Sequence, residues 1–133
     1  MAAPRRRSPG RRPRRAYQQA SSVLRDAFAQ PDVLSLMFPS PIGTVPGVAL
    51  LHLRITEMLV HGWDLAQATA QPARLPDDLA EQELRFTRAK LGDIPAGRSP
   101  FAPPQPVSGD APAIDRLAAC LGRRVTPGGT ARA

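Results

Sequence analysis

Residues 47–70 read GVALLHLRITEMLVHGWDLAQATA, and how this stretch folds decides the rest. Pro46 precedes it and Pro72 follows it. Proline suits the start of a helix, where the leading N–H groups are unpaired in any case, and breaks a helix further in. About 24 residues at a rise of 1.5 Å make a helix of about 36 Å, long enough to span a helical bundle. At about 100° per residue, Leu50, Leu53, His61, Asp64 and Ala68 fall within about 40° of Glu57, while Ile55, Leu59, Trp63 and Ala66 lie opposite. A helix apolar on both sides is normally enclosed, so these three ionisable groups are expected on a face that points into protein.

Upstream, Tyr17, Ala20, Val23, Leu24, Ala27 and Phe28 recur three and four apart, predicting an amphipathic helix over Ala16 to Gln30 that Pro31 ends. Residues 31–46 hold four prolines and Gly43, which predicts an ordered connection with a short extended piece around Leu34 to Phe38. Downstream, Pro76, Asp77 and Asp78 suit the first turn of a helix, where the backbone dipole favours acids, and Gly92 suits its end. Its inner stripe is Leu79, Ala80, Leu84, Phe86, Thr87 and Leu91, with Glu81, Gln82, Arg85 and Arg88 facing water. Six prolines follow between residues 93 and 112, predicting a strap that docks through Phe101 and Val107. Ala113 to Leu121 forms a short last helix ended by Gly122. The fold class is therefore all-α: a partial four-helix bundle with a Pro-rich strap and a short C-terminal helix.

Charge separates the ends from the middle. Of the 18 basic residues, Arg5, Arg6, Arg7, Arg11, Arg12, Arg14 and Arg15 lie in the first fifteen positions, with no acid among them. Residues 16–133 are therefore formally neutral, and the net charge of +7 belongs to an Arg- and Pro-rich tail. The expected organisation is a disordered tail over residues 1–15, a bundle segment over 16–125 and a disordered end over 126–133. Electrostatic footprints on nucleic acid usually cover a folded face, so the tail offers only nonspecific contact. No apolar run reaches the length of a membrane span, and residues 1–15 lack the apolar stretch of a secretory signal. The single cysteine, Cys120, excludes an internal disulfide and fits a reducing cytoplasm, and its apolar neighbours read as a core position.

The polar stripe of the long helix carries the candidate chemistry. A buried carboxylate needs a partner or a metal, because desolvating it alone costs several kcal/mol. Glu57 and His61, one turn apart, can converge on one divalent ion, with Asp64 a further turn along to orient the imidazole. Carboxylate and imidazole ligands suit zinc or another first-row dication. A hydrogen-bonded core pair would use the same spacing, and that alternative stays open on spacing alone. His52 lies about 140° around the helix from Glu57 and reads as a surface or interhelical residue.

The stretch ITEMLVHGWDLAQAT, residues 55–69, resembles the mycothiol-dependent maleylpyruvate isomerase family of the DinB/YfiT-like superfamily of metal-binding four-helix bundles. Its most specific part is the run from His61 to Ala66 with an acid four positions before the histidine. AYQQASSVLRDAF, PIGTVPG, LPDDLAEQ and FAPPQPV followed by APAIDRLAACLGR extend the likeness over about residues 16–125. The resemblance implies a divalent metal, zinc by usual assignment, held by Glu57 and His61, and a low-molecular-weight thiol such as mycothiol activated for isomerisation or transfer onto an electrophilic substrate. Family members resemble one another over a longer chain, with a further histidine ligand on an earlier helix. This chain is thus expected to be an N-terminally truncated member, with weak metal affinity unless a homo-oligomer brings two Glu57–His61 pairs together. A different class of function, a small helical binding module whose Arg-rich tail touches nucleic acid, competes with this expectation.

Overall fold

The computed structural model describes residues 12–40, 43–94, 97–99 and 101–126. Along the chain run α1 (Arg12–Phe28), β1 (Met37–Ser40), β2 (Gly43–Pro46), α2 (Gly47–Ala68), α3 (Asp77–Gly92) and α4 (Ala113–Cys120). They divide into two compact units, one up to Leu51 and one from His52 onward, with the boundary inside α2. The chain is mostly helical, as the periodicities indicated, with a two-stranded sheet added.

In the first unit, α1 starts at Arg12, earlier than expected. Arg12, Arg14 and Arg15 are thus helical rather than part of a disordered tail over residues 1–15; the remainder of that segment, residues 1–11, lies outside the described residues. Pro13 is compatible with this start because the N–H it lacks would be unpaired in a first turn. None of the residues of α1 is buried.

Where an ordered connection with a short extended piece around Leu34 to Phe38 was expected, β1 and β2 pair antiparallel with Met37 opposite Pro46, Phe38 opposite Val45, Pro39 opposite Thr44 and Ser40 opposite Gly43. Two strands leave both outer edges free, and prolines are tolerated there because no ladder donor is needed. Ser40 Oγ donates to the Gly43 carbonyl at 2.6 Å. The start of α2 is tied down by Gly47 N–H donating to Leu36 O and Val48 N–H donating to Leu34 O, each at 2.9 Å. A Cβ on Gly47 would stand 2.0 Å from the Val33 carbonyl oxygen, so only glycine fits this approach.

The second unit has its core where α2, α3 and α4 contribute Leu59, Val60 and Trp63, then Ala80 and Leu84, then Ile114, Leu117 and Ala118. Polar contacts fix α4 against its neighbours. Trp63 Nε1–H donates to Asp115 Oδ1 at 2.7 Å, satisfying an indole that is otherwise buried. Ala113 N–H donates to Asp77 Oδ1 at 3.1 Å, so an acid in the first turn of α3 serves the unpaired start of α4. Arg116 pairs with Glu81 and also donates to the Ala111 carbonyl at 3.0 Å.

The Pro-rich strap does dock, through its backbone more than through Phe101, which stays exposed. Gln105 N–H donates to the Ala119 carbonyl at 2.8 Å, and Val107 is half-buried. Gly122, at φ +87°, lies so close to the strap that a Cβ there would come within 2.6 Å of Ala102 Cβ. Both the left-handed turn and that approach require glycine. Of the expected C-terminal segment over 126–133, residues 127–133 lie outside the described residues. No helix among the described residues is long and apolar enough to cross a membrane.

Candidate functional site

The two sides of α2 differ more than their composition suggests. Leu59, Trp63 and Ala66 of the expected apolar side are buried, while Ile55 is only partly so, and Thr56 and Val60 are buried beside them. The opposite side, carrying Glu57, His61 and Asp64, was expected to be enclosed and is not. Their side chains are 43%, 71% and 37% exposed. The physical reason is that α3 and α4 cover one side of α2 only within this unit, leaving Leu53, Met58 and Leu65 exposed as well.

Each of the three polar groups has a defined neighbour. Glu57 accepts from Arg54 Nη1 at 2.7 Å. His61 Nδ1 lies 3.3 Å from Asp64 Oδ2. Asp64 in turn is gripped by Arg123, with Nε at 3.2 Å from Oδ1 and Nη2 at 3.0 Å from Oδ2. The Arg123 hydrogen bond holds the Asp64 carboxyl below its ordinary range; burial pushes the other way, and His61 adds to the lowering. Asp64 is therefore a fixed anion, oriented from the α4 end of the chain. A carboxylate at His61 Nδ1 favours the tautomer protonated on that nitrogen, which leaves Nε2 with its lone pair, the arrangement that supports imidazole as a metal ligand.

Glu57 and His61 are groups of the kinds that divalent-metal centres use, though each is paired here with a different neighbour, Arg54 and Asp64. Zinc takes four ligands in structural sites, and three protein ligands plus an open position in catalytic ones. Among the described residues no group of three or more His, Cys, Asp or Glu side chains comes together to hold an ion. Glu57 would also have to release Arg54, an exposed pairing of the kind worth at most about 1 kcal/mol.

A second polar cluster escaped sequence reasoning. Glu83 is fully buried on the inner side of α3, between Ala80, Leu84 and Thr87. Its Oε1 and Oε2 lie 2.9 and 3.1 Å from His52 Nδ1, and Oε2 accepts from Thr56 Oγ1 at 3.1 Å. Gln82 Nε2–H donates to Oε1 at 3.2 Å. His52 stacks on Phe86, ring centroids 4.0 Å apart. His52 is hence interhelical, and the cluster is saturated: among the described residues, no buried side-chain nitrogen or oxygen lacks a partner. The signal available in the sequence was an acid at position 83, within the stripe formed by Ala80, Leu84 and Thr87.

Cys120 borders an open groove of about 400 Å³, together with Arg88, Pro104, Gln105 and Arg116. Burial pushes its thiol up, with Arg88 opposing in part. A thiol held protonated is a poor nucleophile, which agrees with a packing role.

Two proteins of Mycobacterium tuberculosis, described as uncharacterized in strains CDC 1551 / Oshkosh and ATCC 25618 / H37Rv, are each 42% identical to this chain over 111 residues. The match covers 83% of this chain and 61% of each relative, so the chain spans about three-fifths of the length of the relatives it matches. No family model matches the chain. No solved structure matches it.

Proposed function

We propose that this chain carries part of a metal- and thiol-dependent enzyme of the DinB/YfiT-like four-helix class, in which Glu57 and His61 hold a divalent cation, zinc or a similar ion. The observation that carries this reading is the contact between Asp64 and His61 Nδ1, which leaves Nε2 of a largely exposed imidazole as a donor to a ligand. Arg123 fixes Asp64 from the opposite side. A core histidine needs no such support. A surface histidine without a role would gain little from it, since an exposed ion pair contributes at most about 1 kcal/mol.

The division of labour follows from these contacts. Arg123 orients Asp64, Asp64 favours the proton at His61 Nδ1, and Glu57, paired with Arg54 here, would be the anionic ligand. A bound dication would lower the pKa of a coordinated low-molecular-weight thiol and so supply a nucleophilic thiolate at neutral pH. The resemblance of residues 55–69 to mycothiol-dependent maleylpyruvate isomerases favours mycothiol or a related thiol, with an electrophilic small molecule as acceptor. Such chemistry belongs to a reducing cytoplasm. The rest of the bundle and the remaining ligands come from outside the three helices described in the second unit.

Thermal unfolding with zinc and with a chelator tests this. A ligand bound only by the folded state at a hundredfold excess over its Kd stabilises by about 2.7 kcal/mol. Zinc is expected to raise the Tm of the full chain and to leave that of a Glu57→Gln, His61→Ala chain unchanged. Equal responses from both chains would place the ion elsewhere.

A further inference from the structure

We propose that the groove between α3, α4 and the Pro-rich strap binds a small organic acid, its carboxylate taken by Arg88 and its apolar body laid against Leu91, Pro104 and Val107. The groove uses none of Glu57, His61 and Asp64, and its occupancy is independent of the metal reading.

Three elements build the walls. Arg88 and Leu91 come from α3, Arg116 and Cys120 from α4, and Pro104 and Val107 from the strap. The strap side is anchored to α4, because Gln105 N–H donates to the Ala119 carbonyl at 2.8 Å. Gln105 Nε2 is occupied as well, donating to the Pro103 carbonyl at 3.1 Å. The volume of about 400 Å³ suits a small molecule. Sites for such ligands measure about 300–1,000 Å³ and combine mostly apolar walls with a few placed polar groups, usually preformed.

Charge selects the ligand. None of the described residues that line the groove is acidic. The acids beside it are already answered, Glu81 by Arg116 and Asp93 by Lys90. Arg116 is committed through Nε to the Ala111 carbonyl and through Nη2 to Glu81. Arg88 is not. Its guanidinium reaches the Cys120 thiol, and it pairs with no carboxylate among the described residues. A protonated thiol is a weak acceptor and leaves the positive charge uncompensated. The planar fork of a guanidinium matches a carboxylate through two parallel hydrogen bonds.

One uncompensated cation calls for one negative charge, and Leu91, Pro104 and Val107 call for hydrocarbon. Inorganic phosphate would leave those walls unused. A nucleic acid would need a row of free cations along its backbone. A monoanion with an apolar body satisfies both the charge and the walls.

Cys120 is the only cysteine of the chain and lines the groove, so its alkylation by uncharged iodoacetamide reports occupancy at that place. The probe is 3-phenylpropanoate, and its uncharged amide controls for the carboxylate. Each rate is taken relative to the same chain without probe, because Arg88 also acts on the thiol. The acid is expected to protect Cys120 saturably, and the amide at least tenfold more weakly. Arg88→Gln replaces an exposed side chain, should leave the helical circular dichroism intact, and should reduce the acid to the level of the amide. Arg88→Lys, which keeps the charge without the fork, should fall between. An unprotected Cys120 in the wild-type chain would overturn the site. Equal protection by acid and amide would overturn the anionic ligand. Protection by the acid that survives Arg88→Gln would overturn the role of Arg88.

Discussion

His52 Nδ1 stands 2.9 Å from Oε1 of Glu83, a carboxylate with no exposed surface, and this contact joins α2 to α3. Thr56 Oγ1 donates to the same group from one turn further along α2. A buried acid held by three side chains is costly to disturb on one side only, since the partner left behind keeps its desolvation without its compensation. Glu83→Ala is expected to destabilise the fold by about 3–5 kcal/mol. Glu83→Gln, which keeps the size and one acceptor, should lose less. Urea denaturation followed by circular dichroism checks both.

Ala70 closes α2 in the left-handed region at φ +51°, with Gln71 N–H donating to Ala66 O at 2.9 Å. Helices commonly end in this way on glycine, because a Cβ is strained there. Ala70→Gly should therefore stabilise the protein, by about 1 kcal/mol after allowing for the added freedom of the unfolded chain. The reverse change at Gly122, where φ is +87° and the strap approaches, should destabilise it. Thermal unfolding of the two variants should move Tm in opposite directions.

Cys120 gives a pH dependence with a definite sign. Burial raises its folded-state pKa above the ordinary thiol value, so its contribution to stability is whole below that ordinary value and falls away as pH rises through the folded-state value. Alkylation by iodoacetamide is expected to be slower than that of free cysteine at pH 8 and to speed up only at more alkaline pH. In urea it should match the free thiol. A rate already maximal near neutrality would mean an activated thiolate in the groove beside Arg88.

The sequence was most informative where a helix has one neighbouring side to satisfy. Proline and glycine marked the bounds of α3, and the stripe of Leu59, Trp63 and Ala66 identified the buried side of α2. In residues 37–40 and 43–46 the sequence showed only a short extended piece, because Pro39 and Pro46 argue against strands; they are accommodated because a two-stranded sheet has no central strand. The environment of Glu57 and His61 resisted reading for a different reason. Apolar residues on both sides of a helix imply cover on both, yet the second unit covers one. The spacing did point to Asp64 as the support for His61, and the structure brings the two together. It did not point to Arg123, 59 positions further along the chain, or to Glu83. Each acts through a contact between elements that no local pattern encodes.

Whether α2 supplies a metal site is most directly read by native mass spectrometry of the full chain with stoichiometric zinc. The expected spectrum shows zinc bound by the wild-type chain and none bound by the His61→Ala chain. A wild-type chain that remains metal-free, or a His61→Ala chain that keeps its zinc, would contradict the assignment of Glu57 and His61 as ligands.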